Sequence, residues 1–515
     1  MGHRIERCLS AIRVYGNAAR SQIPRLEPVQ AELVDRNWNP ERLRKIDIPG
    51  LIVELEDDRT PREFRIINKI GPGWAVRATT YNSDFLGLPA WSSRNVAWCL
   101  KMPTKNSIAY LLVFVVGAVA GSIQVAWMPG VPAHGRYHAC DSDYLQKHLL
   151  GISLRPGPPA PTADHPAWKA ICGVYQKISA MCGLSGMTLW NIATPVILGV
   201  NLCLFLLLTR NLGFDRAQGL GLTFLLLSTG ATVNWSMVLE THVLAPTSLL
   251  LAALILSDRR MVSRIWNHPS SCILLAYGLA IALAGSITIT NAMLGVLAVL
   301  PARLIRRLRP APIVKQTIER IPILVTAGLV SIGILAFVHL TGWYLTQDPE
   351  MAQFLAVANE RHYLPYMMGS WWESVLAVAW VAPPLDQYIG YHDDTFFLLR
   401  RNLSTMPAFL SGLLVFTLTV CSIRFASSRE MFIPIFVVVG IALHSVYGRS
   451  ESFLFAANYT WATVISIGIL GRVVIPKHLC RGTLAISSVL FVVNIAIWAH
   501  GFGWIIENGY LLPDP

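Results

Sequence analysis

The residues with most chemical potential lie close together in one stretch, "YHACDSDYLQKHLLG" at residues 137–151, which holds Asp141, Asp143 and Tyr144 with His138, Lys147 and His148 around them. A carboxylate with an ordinary pKa near 4 is ionised at neutral pH and can accept a proton. Two carboxylates one residue apart suit general-base work or solvated capping of a helix equally. His134, His138, Cys140 and Asp141 also cluster, but their spacing matches no standard zinc pattern, and no metal is assigned. What singles the stretch out is its position. It follows "IAYLLVFVVGAVAGSIQVAW" (108–127), a run without charge and long enough to cross a bilayer.

That run is one of many. The chain has 515 residues, of which 53% are hydrophobic and only 14% charged. A soluble chain is nearer a quarter charged. The composition predicts an all-α polytopic membrane protein with about eleven transmembrane helices, between 10 and 13. The expected spans are 108–127, 189–209, 217–233, 243–257, 271–286, 290–304, 321–343, 405–423, 431–447, 460–475 and 483–503. The net charge of +12 does not point to nucleic acid, because the basic residues sit at span ends and in short loops. Arg210, Arg216, Arg259, Arg260, Arg264, the run "RLIRRLRPAPIVKQTIER" (303–320), Arg424, Arg429, Lys477 and Arg481 all fall on alternate connections, whereas 234–242 and 287–290 have neither Lys nor Arg. The positive-inside rule puts the basic side and the N-terminus in the cytoplasm, and the C-terminus outside.

Two long segments, 128–188 and 344–404, then face outward. Each carries an amphipathic or aromatic stretch suited to an interfacial helix: "HPAWKAICGVYQKISAM" (165–181) and "VANERHYLPYMMGSWWESVLAVAW" (357–380). Cys140, Cys172 and Cys182 lie in the first, so at most one disulfide forms there. Residues 1–107 are polar and basic, a cytoplasmic extension with no signal peptide and no chemical motif. A small folded unit is expected around "LIVELEDD" and "FRIINKI" within it.

The order of span, acidic loop and interfacial helix resembles the GT-C superfamily of membrane glycosyltransferases, which includes protein O-mannosyltransferases and the aminoarabinose transferases of lipid A. In that family an acidic-x-x-Tyr element and a His-Pro-Pro-Leu-Tyr-like element occupy the first outer loop. Here Asp141-Ser142-Asp143-Tyr144 and His165-Pro166-Ala167-Trp168 stand in their places, the second Pro being absent. The resemblance implies a polyprenyl-phosphate-linked sugar as donor and a lipid, glycan or protein as acceptor. It also implies action at the outer face of a bacterial inner membrane without a cofactor, and Asp141 or Asp143 as the base. Cations of the outer loops, Lys169, Arg361 or Arg449, would hold the donor phosphate, with Arg favoured by its forked geometry. His165, Glu240, His242, His362 and Glu451 complete the candidate substrate contacts, and "GRSESFLFAANYTW" (448–461) is a further candidate stretch.

The same residues leave two other classes open. A lipid or solute transporter, or flippase, would place polar groups within the membrane. Thr288, Thr290 and Asn291, between the fifth and sixth spans, are the nearest approach to such a site. A non-catalytic scaffold would use the large outer loops as surfaces.

Overall fold

The computed structural model describes residues 51–55, 64–69, 75–79, 104–127, 166–235, 244–258, 265, 270–298, 320–346, 406–446 and 456–507. The chain divides into two units, Met1–Ser92 and Ser93–Pro515. In the first, β1 (Leu51–Leu55), β2 (Phe64–Lys69) and β3 (Ala75–Thr79) form an antiparallel meander in the order β1-β2-β3. Leu51 pairs with Asn68, and Arg65 with Thr79.

The described elements of the second unit are all helical. They are α1 (Thr104–Trp127), α2 (Trp168–Cys182), α3 (Gly186–Asn211), α4 (Arg216–Ser228), α5 (Gly230–Trp235), α6 (Ala245–Leu256) and α7 (Ser271–Ile287). A 3-10 turn (Ile289–Ala292) leads into α8 (Met293–Ala298), and α9 (Ile321–Thr346), α10 (Met406–Phe425), α11 (Phe432–Val446), α12 (Ala456–Val474) and α13 (Leu479–Glu507) complete the order. Among the described residues four stretches are long and apolar enough to cross a membrane: Ile108–Ala126, Thr188–Asn211, Ile321–Gly342 and Leu479–Ala496. Their exposed surface is apolar too, including Leu111, Val115 and Val119 on α1, Val325, Leu329 and Ile332 on α9, and Val489 and Val492 on α13. In water such faces would be a large exposed apolar patch; hydrocarbon covers them without cost. The protein is therefore read as a membrane protein.

Two of the expected spans are interrupted. The stretch 217–233 breaks at Thr229, whose hydroxyl donates to the Leu226 carbonyl (2.7 Å) and lies 3.0 Å from that of Thr232. The stretch 290–304 begins as the 3-10 turn, because Thr288 is extended (φ −137°, ψ 115°) and stops α7 there.

The helix α12 forms the centre, packing against α4, α5, α6, α10 and α11. Every side chain from Asn458 to Ser466 is buried. Phe436 of α11 stacks on Tyr459 and Trp461, with ring centroids 5.2 and 6.1 Å apart. The helices α1 and α3 approach closely where Gly117 and Gly199 meet: a Cβ on Gly117 would stand 2.9 Å from the Gly199 Cα. Small residues allow this approach in membranes, where there is no hydrophobic force between helices.

One end of the bundle is clasped by arginines. Arg472 of α12 reaches both carboxylate oxygens of Glu430 (2.9 and 3.1 Å) and donates to the Leu212 carbonyl (3.2 Å). Arg429 donates to the carbonyls of Asn211 (2.7 Å) and Leu212 (2.9 Å). Two guanidiniums thus satisfy the orphan carbonyls and negative dipole end of α3. Gly213, at φ 90°, makes the left-handed exit from that helix. An Asp215–Gln218 capping box then starts α4, and the Gln218 amide donates to Pro476 O (3.4 Å) beyond α12. Asn211 donates to the Ser257 hydroxyl (2.7 Å) and so brings the end of α6 to the same place. The far ends of α3, α4, α10, α11 and α12 consequently gather at the opposite end.

Glu430 is 1% exposed and pairs with Arg472 at 2.9 Å. Arg472→Ala should destabilise the protein by about 3–5 kcal/mol, as expected when one partner of a buried pair is removed. The double variant Glu430→Met with Arg472→Met should recover most of that loss. Thermal unfolding of the four proteins as a mutant cycle measures both.

Candidate functional site

Of the residues singled out for chemistry, Asp141, Asp143, Tyr144, His165, Glu240, His242, Arg361, His362, Arg449 and Glu451 lie outside the described residues. Lys169 is the exception, standing in the first turn of α2. The site is therefore built from the elements around that turn.

The turn enters the bundle. Ala167 N–H donates to the Ser286 carbonyl (2.8 Å), which joins the start of α2 to the last turn of α7. Trp168 and Cys172 are fully buried, and Tyr175 is nearly so. The helix packs chiefly on α9 and also meets α3. Tyr175 donates its hydroxyl to the Gly186 carbonyl and meets the Trp190 ring edge-on at 6.3 Å. Burial, with a smaller contribution from Cys172, pushes the Tyr175 phenol well above its ordinary range, so it is a neutral donor here. The opposite face of α2, with Val174, Lys177, Ile178 and Met181, is exposed. The helix ends at Gly183 (φ 63°), and the Ser185 side chain caps α3 by accepting from Thr188 N–H at 3.1 Å. Neither Cys172 nor Cys182 is in a disulfide.

Just beyond Ser286 comes the break between α7 and α8. Thr288 and Asn291 are buried, and the Asn291 backbone N–H donates to the Thr288 carbonyl (2.9 Å). Among the described residues, the Thr288 and Thr290 hydroxyls and both polar atoms of the Asn291 amide are buried without a hydrogen-bond partner. Other groups share this condition at the same end: both amide atoms of Asn458 at the start of α12, and the indole nitrogens of Trp168, Trp190 and Trp461. A buried polar group without a partner costs about 1–3 kcal/mol, and a native fold rarely keeps several together. At the arginine end, by contrast, Arg429, Arg472, Glu430, Asn211 and Gln218 are all hydrogen-bonded, and among the groups described there the Ser427 hydroxyl is the exception.

The sequence pointed to Thr288, Thr290, Asn291 and Trp168, and to the stretch that contains Asn458 and Trp461. It did not point to Trp190, which is one aromatic residue among many in an apolar span. Residues 270–298 contain no Asp, Glu, Lys or Arg. The break thus offers neutral donors and acceptors, and Lys169 follows two residues after the Ala167 that bonds to Ser286. Among the described residues no group of His, Cys, Asp and Glu could hold a metal ion. No family model matches the chain, and no curated protein matches it significantly.

Because the Asn458 amide has no partner among the described residues, Asn458→Leu should leave the unfolding temperature unchanged or raise it. Asn494 donates to the Ser228 carbonyl at 2.7 Å. Asn494→Leu should lose about 1–3 kcal/mol, because that carbonyl is then stranded in the bundle. Parallel thermal unfolding of the two variants checks the difference.

Proposed function

We propose that the protein is a membrane glycosyltransferase of GT-C type with about eleven spans, acting on a polyprenyl-phosphate-linked sugar at the outer face of a bacterial inner membrane. The observation that carries this reading is the bond from Ala167 to Ser286, which seats the end of the His165–Trp168 element beside the uncharged polar break after α7. An element of the family's first outer loop therefore meets groups suited to hydroxyls, with Lys169 adjacent. The turns and helix ends at the other end carry Arg210, Arg216, Arg429, Lys477 and Arg481, and the positive-inside rule supports a cytoplasmic placement of that end.

In the proposed reaction the acceptor hydroxyl oxygen attacks the anomeric carbon. The bond from that carbon to the phosphate oxygen breaks, and polyprenyl phosphate leaves. Asp141 or Asp143 takes the acceptor proton, with Asp141 favoured as the nearer to the end of α1. Arg361, Arg449 and Lys169 are the candidates to balance the departing phosphate. Tyr144, His165, His362, Glu240, His242 and Glu451 would contact sugar or acceptor. The partners are the lipid-linked donor, an acceptor that is a lipid, glycan or protein, and the surrounding lipids, with no role for nucleic acid.

The interrupted helix at Thr288 also suits a transporter, since broken helices supply polar groups at substrate sites in membranes. Proteoliposomes separate the two. Transfer of labelled sugar from an isoprenyl-phosphate donor supports the enzyme, and donor-independent flux without transfer supports the transporter.

Asp141→Asn or Asp143→Asn should lower the transfer rate by about 10²–10⁴-fold with donor affinity retained; normal rates in both variants would remove the base from this loop. Arg361→Ala or Arg449→Ala should weaken donor binding by about 10- to 100-fold, as expected for a bond to a charged group. Single cysteines introduced within 303–320 should react with an impermeant reagent only from the cytoplasmic side, and labelling from outside alone would invert the topology.

A further inference from the structure

We propose that the break between α7 and α8 is a binding site for a neutral, hydroxyl-bearing ligand of the sugar or polyol class, held by Thr288, Thr290 and Asn291 beside Trp168. The class follows from which atoms lack partners. Asn291 leaves both its oxygen and its amide nitrogen unsatisfied while fully buried. A metal cation would use the oxygen and strand the nitrogen; an anion would do the reverse. A hydroxyl group donates and accepts, and so do the two threonine hydroxyls that flank the amide. The absence of any charged residue from 270–298 also disfavours an ionic ligand there, since nothing within the break would balance its charge.

One buried water does not meet the demand. A water makes about three hydrogen bonds. Here Thr288 Oγ1, Thr290 Oγ1, Asn291 Oδ1 and Asn291 Nδ2 fall within four consecutive residues, and the Trp168 indole N–H is unpartnered on the neighbouring turn. A ring with several hydroxyls supplies that many partners, and an aromatic side chain nearby suits its apolar face. The backbone bond from Ala167 to Ser286 keeps that turn against the end of α7. Such a site would hold the sugar moiety of the proposed donor, yet its occupancy depends on hydrogen bonding alone and not on any transfer step.

The test uses the full chain in lipid nanodiscs and follows thermal unfolding with methyl α-mannoside, methyl β-glucoside and methyl β-galactoside at about 100 mM, a concentration at which even millimolar binding stabilises a fold. At least one glycoside should raise the wild-type unfolding temperature by about 2 °C or more. Asn291→Leu without ligand should unfold at the wild-type temperature or above it, and the glycoside shift should fall to less than half. Thr290→Val, which keeps the volume and removes the hydroxyl, should reduce the shift likewise and decides the matter if Asn291→Leu does not fold. Sodium chloride against potassium chloride, and inorganic phosphate at matched ionic strength, should produce no shift that these substitutions abolish. The proposal is overturned if no glycoside stabilises the wild type, if both variants respond as the wild type does, or if an ion gives the sensitive shift instead. Asn291→Leu lowering the ligand-free unfolding temperature would overturn it as well, because the amide would then be satisfied by the fold or by structural water. Failure of sugar transfer with these glycoside shifts intact would remove the enzyme reading and leave the site standing.

Discussion

The buried pair of Glu430 and Arg472 sets the geometry on which the rest of the bundle depends. Glu430 follows the end of α10 and starts α11, while Arg472 closes α12, so one ion pair fastens three helices. The Leu212 carbonyl accepts from Arg472 and from Arg429, which adds the end of α3 to the same knot. The ring of Phe214 lies under the Arg472 guanidinium at 4.8 Å. Charges taken out of water are costly unless paired and fully bonded, and here the bonds are present. Helices tied at one end are free to differ at the other, and several of the described unpartnered groups, Thr288, Asn291 and Asn458 among them, lie there.

This division gives the molecule a physical asymmetry. At the arginine end a capping box, guanidinium bonds and a left-handed glycine satisfy most of the turn groups. At the opposite end an extended Thr288 stops α7, and the amides of Asn291 and Asn458 are buried with nothing to bond. Stability alone would favour apolar residues at such positions. Groups kept at a cost in folding are the usual mark of a place where a ligand completes the hydrogen bonding. The same end receives the first turn of α2, which continues directly from the His165–Pro166 element.

Much of the fold was legible in the sequence because a membrane imposes few solutions on an apolar run. The long runs 108–127, 189–209, 321–343 and 483–503 each emerge as a helix with a membrane-length apolar core. The amphipathic pattern of 165–181 emerges as α2, and Trp168, Cys172 and Tyr175 are its buried side. Hydropathy does not reveal breaks that side chains create within an apolar stretch: 217–233 reads as one continuous span, and only the shortness of 290–304 hints at a break there. Nor does loop charge reveal pairing. Arg429 is a marker of sidedness in the sequence, and only the packing of α12 brings Arg472 to Glu430 across 42 residues. The polar triad at 288–291 was visible as three polar residues in an apolar run. Its lack of partners was not, because that depends on what every neighbouring helix fails to supply.

The central claim is that a sugar linked to a lipid phosphate binds at the end of the bundle opposite the arginine knot. Photo-crosslinking of the full chain in nanodiscs with an isoprenyl-phosphate sugar, carrying its photoreactive group on the sugar, tests this most directly. Mass spectrometry should find the adducts in 165–169 and 286–292, and excess unlabelled donor should suppress them. Adducts confined to 210–216 or 424–430, or spread along the lipid-facing sides of α1 and α9 and unaffected by competitor, would contradict it.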